Sequence, residues 1–352
     1  MDRDGTDDLL AQVCEAATRS AALRIVGGDT KRFYGRAIDG VPLATRGHTG
    51  ILRHDPAELV LTARGGTPLA EVETQLAAHG QRLAFEPPHF GTDATLGGTV
   101  AAGLAGPARA WAGPLRDYVL GARILTGDGR VLRFGGEVMK NVAGYDVARL
   151  MAGSLGVLGV LLDVSLKLLP RPADERTLAL ELDQAQALEH MANLARGALP
   201  LSASSWIDGR LYLRFDGSLE TLDAVAARVG GELLPDGGSF WASLREQTHP
   251  FFASEQPLWR CTVPGLVAPL PLGDVSLVEW NGMQRWYRGV ADTAAFEAAA
   301  AVGGHATLFR HHTEATEVFT PLAPPLLRLH RELKRVFDPA GILNPGRMYA
   351  DL

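Results

Sequence analysis

Cysteine is nearly absent from this 352-residue chain. Cys14 and Cys261 are the only two, far apart and outside any CxxC spacing. That pair excludes a disulfide framework, a cysteine-ligated zinc site and an iron–sulfur cluster held by this chain alone, and it suits a reducing cytoplasm. A basic excess is also missing. Thirty-four Lys and Arg stand against 40 Asp and Glu, a formal net charge of −6, so the clustered cations that a nucleic-acid backbone requires are lacking and no nucleic-acid partner is expected. Long apolar runs are lacking as well. The most apolar stretch, AGSLGVLGVLLDV at 152–164, falls short of the ~20 residues that span a bilayer, and the N-terminal MDRDGTDDLL is acidic where a secretory signal is basic. The expectation is a cytoplasmic protein that meets a membrane, if at all, through a partner.

What the chain has in excess is glycine: 40 residues, against a usual content of about 7%. They are dense from residue 27 to residue 159 and sparser afterwards. The composition shift, with the proline-bearing LLPRP at 168–172, predicts a first unit over 1–170, a second over 171–336 and a closing segment over 337–352. In the first unit, DDLLAQVCEAATRSAAL reads as a helix and RIVGG as a strand. ELVLTA at 58–63 reads as another strand, leading to Thr67-Pro68, where Thr67 is expected to cap the helix that follows. YVLGARILT and RVLRFGG around a GDG turn read as a hairpin, and VLGVLLDVSLKLLP as the closing strand. The second unit reads as strand, helix, hairpin and helix, with turns at Asp208-Gly209 and Asn281-Gly282, repeated loosely. The fold class is therefore α+β. The second unit is expected to be an antiparallel sheet with helices on one face, a duplicated split βαβ arrangement.

Four glycine clusters carry the chemistry. Ile25-Val26-Gly27-Gly28-Asp29-Thr30-Lys31 follows a strand and can turn successive N–H groups inward around an anion, although a tight turn alone would also use two glycines. PPHFGTDATLGGTVAAG at 87–103 interleaves hydroxyls with glycine, which suits either a phosphate or close helix–sheet packing. GGEVMKNVAGYD at 135–146 and AGSLGVLG at 152–159 complete the set. None has the lysine-serine ending of a P-loop or a G-x-G-x-x-G between strand and helix, so nucleoside-triphosphatase and Rossmann readings fail.

Taken in order, GGDTK, EPPHFGTDATLGGTVAAG, GGEVMKNVAGYDVARLMAGSLGVLGV and the closing FDPAGILNPGRMY resemble flavoproteins of the vanillyl-alcohol oxidase and p-cresol methylhydroxylase (PCMH) type. TRGHTGI, EPPHFG and FGGEVMKNVAGYD resemble more narrowly the FAD-binding accessory subunits of bacterial glycolate dehydrogenases. The resemblance implies a two-part PCMH-type FAD-binding domain over 1–170, a cap domain over 171–336 and a return of 337–352 to the first domain. It implies that Gly27, Gly28, Asp29, Thr30 and Lys31 wrap the FAD pyrophosphate, with Thr95, Gly97, Gly98 and Thr99 beside them. Lys140, Asn141, Gly144, Tyr145 and Asp146 would flank the flavin, Gly153, Ser154, Gly156 and Gly159 the adenosine half, and Asn344 the C-terminal return. Covalent relatives place a histidine after the first glycine pair. Here Asp29 and Thr30 stand there, which implies noncovalent FAD.

The resemblance further implies oxidation of a small 2-hydroxy acid, glycolate, with electrons leaving to a cysteine-rich iron–sulfur subunit beside a second FAD subunit. No metal site is expected, since the adjacent His311 and His312 would point to opposite faces of a strand, away from a common ion with Glu314. A histidine-rich cap segment, GHxGDGNLH, marks substrate-oxidising relatives. This chain has only Gly304-His305-Ala306-Thr307, so the catalytic candidates reduce to His89, His305 and Arg310, the last as a carboxylate clamp alongside Arg347. Two other functions stay open: a self-sufficient FAD-dependent dehydrogenase acting on D-lactate or a similar acid, and a subunit that retains FAD only for structure.

Overall fold

The computed structural model of the protein describes residues 2–136, 145–265, 267–273, 277–310 and 317–352. Two antiparallel sheets dominate it. The first has five strands in the spatial order Ile51–Asp55, Val60–Arg64, Val160–Lys167, Val119–Leu125, Val131–Gly135. The strand that closes this unit in sequence thus lies at the centre of its sheet, and its near-continuous apolar run reflects burial on both faces. A bulge opposite Arg123 and Ile124 shifts its side-chain parity. Val160 and Leu162 thereby face the helix Thr6–Arg19, while Leu161, Val164 and Leu166 face the helices Leu69–Ala77 and Leu96–Ala102. Thr67 does not cap the helix Leu69–Ala77. Its hydroxyl instead accepts from Gly50 N–H at 2.9 Å and reaches the Gly50 carbonyl, tying the helix entry to the preceding loop. A parallel pair, Leu23–Val26 with Val41–Ala44, stands beside this sheet.

The second sheet has eight strands, in the order Glu232–Leu233, Asp174–Glu181, Arg210–Gly217, Leu201–Ile207, Leu277–Glu279, Gln284–Arg288, Leu258–Thr262, His305–Arg310. Numbered by sequence within each half, the strands read 4-1-3-2 and then 2-3-1-4. The sheet is therefore two split βαβ units joined edge to edge through their second strands. Positive φ at Asp208 and Gly209 and at Trp280, Asn281 and Gly282 makes the two hairpin connections that the dipeptides predicted. Helices Gln184–Ala195, Leu219–Val229 and Asp292–Ala301 cover one face. The opposite, inner face carries Ala203, Ile207, Leu258, Leu277, Trp286 and Phe309. It packs on the helix Gly237–Arg245 and on Tyr34, Ala102, Leu104 and Leu155 of the first unit.

After the helix Pro324–Phe337 the chain returns to the first unit. The buried Lys334–Asp338 pair, 2.7 Å apart, anchors that return: Asp338 accepts from the N–H groups of Ile342 and Leu343, and Lys334 donates to the carbonyls of Val157 and Leu343. Each charge has both an opposite partner and hydrogen bonds, the condition under which buried ions are tolerated.

Candidate functional site

A groove open to solvent runs along the first unit. Its floor is backbone. The strand Leu23–Val26 delivers Gly27 and Gly28 against the loop before the helix Leu96–Ala102, so closely that a Cβ on Gly28 would collide with the Asp93 carbonyl and one on Gly27 with the Thr95 hydroxyl. Asp29 then takes a left-handed φ of 57°. The four consecutive N–H groups from Gly28 to Lys31 have no acceptor among the described residues, which is the geometry of an anion nest. Lys31, Arg32 and Arg347 add positive charge to the lining. Asp29, its one carboxylate among the described residues, lies 3.4 Å from Arg24 and 3.9 Å from Arg32. Burial holds the Lys31 ammonium down at about 8, opposed by nearby Glu246, and its Nζ donates to the His89 carbonyl at 3.2 Å.

The C-terminal return locks this loop. Asn344, at φ 42°, accepts from Ile25 N–H at 2.7 Å and donates to the Leu155 carbonyl at 2.7 Å. Gly156 must lack a Cβ because the Asn344 amide would be 2.7 Å from it. Arg347 donates to the carbonyls of Arg36, Arg32 and Tyr34 at 2.5, 2.8 and 2.6 Å, and burial lowers it to about 10. Its guanidinium fork is committed to backbone oxygens, so it holds the loop in shape instead of clamping a carboxylate.

Of the residues anticipated from sequence, Gly27, Gly28, Asp29, Thr30, Lys31, Thr95, Gly97, Gly98, Gly156, Gly159, Asn344 and Arg347 line this one groove. Thr99, Gly153 and Ser154 lie behind it. Gly153 N–H bonds the Val100 carbonyl, packing that segment on the helix Leu96–Ala102, while the Thr99 hydroxyl is buried without a partner among the described residues. Tyr145 is 96% exposed and Asp146 caps the short helix Val147–Leu150, both outside the groove lining. Lys140, Asn141 and Gly144 fall outside the described residues, as do His311, His312 and Glu314. His89 pairs with Glu73 at 2.9 Å and lines no part of the groove. Arg310 donates to Gln247 at 2.8 Å and stacks 4.1 Å from the centre of the Phe33 ring, and burial lowers its pKa. His305 is exposed on the last strand of the second sheet, its pKa lowered by desolvation and then by Arg260 and Arg109.

Sequence reasoning missed Arg32, Thr45, Ala101, Ala102, Leu155 and Leu161 in the lining. Ala101 and Ala102 carried a usable signal, because small residues on a helix beside a glycine loop leave room for a ligand. Leu161 carried none, since its pattern is that of any core strand.

Residues 4–135 match the family of the FAD binding domain, and residues 276–348 the C-terminal domain of FAD linked oxidases. The chain is 46% identical over 350 residues to the glycolate oxidase subunit GlcE of Escherichia coli (strain K12), covering 99% of each. It is 26% identical to a D-lactate dehydrogenase of Archaeoglobus fulgidus over 89% of this chain and 82% of that one. To the glycolate oxidase subunit GlcD of Bacillus subtilis (strain 168) it is 23% identical over 88% and 80%. Among solved structures, alkyldihydroxyacetonephosphate synthase superposes with a TM-score of 0.67 over 96% of this chain and 75% of that one. At 15% identity the two share a fold. The groove, the two family matches and the near full-length relative agree: the chain belongs to the FAD-linked oxidoreductases of PCMH type, in the group that contains GlcE.

Proposed function

We propose that this chain is the FAD-binding subunit of a multi-subunit glycolate dehydrogenase that oxidises glycolate to glyoxylate. The nest of unpaired N–H groups at Gly28–Lys31, in a groove with three cations, is the observation that carries the cofactor assignment; the likeness to GlcE over 99% of both chains supports the substrate. Gly27, Gly28, Asp29, Thr30 and Lys31 hold the pyrophosphate, helped by Thr95, Gly97 and Gly98. Asn344 and Arg347 fix the loop, and Gly156 and Gly159 leave room along the groove. FAD, when bound, supplies a two-electron acceptor for the carbon bearing the hydroxyl. Asp29 and Thr30 offer no imidazole for a covalent link, so the cofactor is held noncovalently.

Electrons leave through another polypeptide, a cysteine-rich iron–sulfur subunit, with a second FAD subunit in the assembly. This chain has only the exposed Cys14 and the buried Cys261 to offer as cluster ligands. The assembly works in the cytoplasm and meets the inner membrane through partners; among the described residues no helix is long and apolar enough to cross it. We place the unit boundaries at 170/171 and 336/337, where the chain passes between the two sheets and where it returns to the groove.

The test is purification of the chain and measurement of flavin absorbance at roughly 450 nm, before and after acid precipitation. We expect flavin that co-purifies and is released into the supernatant. A chain without flavin overturns the cofactor assignment, and flavin retained on the pellet overturns noncovalent binding. Dye-linked glycolate oxidation that requires co-expressed partner subunits supports the assembly. Turnover by the chain alone supports the second reading, a self-sufficient 2-hydroxy-acid dehydrogenase, which the likeness to D-lactate dehydrogenase over most of both chains favours.

A further inference from the structure

Two sides of the helix Pro324–Phe337 are apolar, and only one of them is packed. Lys334 and Phe337 are buried, and Leu333 rests partly on the core of the first unit. The Phe337 ring lies 6.3 Å from that of Phe134, on the edge strand of the five-stranded sheet. The outer side carries Leu326, Leu329 and Val336, which are 44%, 51% and 61% exposed. Together with Leu333 they stand at intervals of three, four and three residues, the spacing of a and d positions in a heptad repeat. At 1.5 Å of rise per residue they form one ridge about 15 Å long. Apolar side chains exposed singly need no explanation, but a contiguous ridge at helix-packing spacing does.

Along the side of the ridge away from the core run Arg328, Glu332 and Arg335, all exposed. None of the three makes an ion pair or a side-chain hydrogen bond among the described residues. The other two cations of the helix with a permanent charge are taken, Arg331 by Asp351 and Lys334 by Asp338. Arg328 and Arg335, seven residues apart, project to one side two turns from each other. Two arginines against one glutamate make this flank cationic in a chain whose net charge is −6. An anionic membrane is a poor match, because Glu332 lies between the arginines and the chain as a whole is repelled. A second copy is also a poor match, since antiparallel packing sets this flank against itself and like charges meet. The complement is an apolar stripe bordered by carboxylates.

We propose that the outer face of the helix Pro324–Phe337 docks a partner subunit, and that the occupant is an acidic amphipathic helix of that subunit. Its apolar stripe covers Leu326, Leu329 and Val336, and two of its carboxylates, spaced a heptad apart, pair with Arg328 and Arg335. The identity of the occupant as a subunit rests on the multi-subunit reading above, while the ridge, its spacing and its unpaired arginines do not. The sequence holds this pattern in PPLLRLHRELKRVF, but the same leucines would read as a core-facing stripe until the packed side of the helix is known.

The experiment co-expresses the tagged full chain with the second FAD subunit and the iron–sulfur subunit and measures how much of each co-purifies. Leu329→Glu puts a charge into the ridge and should cut recovery of the docked subunit about tenfold or more. Flavin absorbance and melting temperature of the tagged chain should not change, because the residue is exposed in the free chain. Arg328→Glu with Arg335→Glu should cost a few-fold and reduce the salt dependence of recovery, which keeps the test decisive if Leu329→Glu disturbs the fold. Leu52→Glu, similarly exposed at the opposite edge of the five-stranded sheet, is the control and should change nothing. A benzophenone photo-crosslinker in place of Leu329 should attach to a partner peptide in which carboxylates border an apolar stripe, identified by mass spectrometry. Three results would overturn the proposal: full recovery with both charge variants, a crosslink to a second copy of this chain, or a Leu329-dependent binding to phosphatidylglycerol–phosphatidylcholine vesicles with recovery unchanged. A wild-type chain that recovers neither subunit overturns the multi-subunit reading and the docking with it, whereas recovery indifferent to the variants overturns the docking alone.

Discussion

The groove and a smaller cavity at the inner face of the eight-stranded sheet, on either side of the end of the helix Leu96–Ala102, are built from opposite materials. Main chain makes the groove: N–H groups of residues 28–31, glycines at 27, 28 and 156 seated where a Cβ would strike a neighbour, and a C-terminal return whose Asn344 and Arg347 bond mostly carbonyls. Side chains make the cavity, from Arg260, Glu279, Gln284 and Trp286 on three neighbouring strands of the second sheet. A backbone site tolerates almost no change at its close contacts, because a glycine there has no substitute. A side-chain site can keep its shape while its chemistry changes.

The same contrast explains what could be read from the sequence. The groove left a signature because close approach forces glycine at fixed places, and 12 of the residues singled out from sequence converge on it. The hairpins were legible for a related reason, since Asp208-Gly209 and Asn281-Gly282 supply the positive φ that those connections need. The cavity left none. Arg260, Glu279 and Gln284 sit on alternating strand positions with ordinary spacing, and only the register of Leu258–Thr262 and Leu277–Glu279 with Gln284–Arg288 brings them together. Arg347 stood out as a candidate clamp by its location, but sequence gives no sign that its donors are taken by three carbonyls. His89 looked functional for its place in a glycine-rich loop. That loop is held from the second unit by Glu246, which accepts from the N–H groups of His89 and Phe90, and the imidazole turns to Glu73.

The largest expected effect tests the backbone side of the comparison. Gly28→Ala places a methyl against the Asp93 carbonyl, which belongs to main chain and cannot swing aside. We expect flavin content to fall at least tenfold and stability to drop by about 1–3 kcal/mol, read as the absorbance ratio of flavin to protein and as a denaturant midpoint. Loss of flavin here therefore comes with loss of packing. Arg32→Ala is the cleaner probe, since Arg32 lines the groove with an exposed side chain, and should cost only a few-fold in affinity with an unchanged midpoint. Equal effects of the two substitutions would break the distinction.

A smaller effect tests the side-chain site. Burial pushes the Glu279 carboxyl up to about 7, with the hydrogen bonds from Trp286 and Gln284 opposing the shift. Because the folded value exceeds the unfolded one, the folded protein binds the extra proton between about pH 4.5 and 7, and stability contributed by this group falls as pH rises through that window. Glu279→Gln keeps an oxygen to accept both hydrogen bonds and removes the buried charge. We expect the variant to be more stable than wild type above pH 7, by up to ~3 kcal/mol, with the advantage vanishing near pH 4.5. Thermal melts across that range decide it, and a pH-independent difference would show that Glu279 does not titrate there.

The smallest effect returns to the groove, where one side chain shares the work of the backbone. Lys31 is held at about 8 chiefly by burial, so in the folded chain a proton leaves it between about pH 8 and 10.5 that the unfolded chain still keeps. Burial of the ammonium thus opposes folding below pH 8, and that opposition fades as pH rises. A pyrophosphate beside Nζ would favour the charged form and draw the proton back. FAD binding should then take up a proton above pH 8, and affinity should weaken a few-fold per unit of pH there. Lys31→Met should bind FAD a few-fold more weakly at pH 7 and lose this slope, since the uncharged side chain has no proton to recover. Fluorescence titration of the apo-chain with FAD at pH 7, 8 and 9 measures both quantities. A slope that survives in Lys31→Met would assign it to another group, and a flat profile in the wild type would mean that the four free N–H groups hold the anion without help from the lysine.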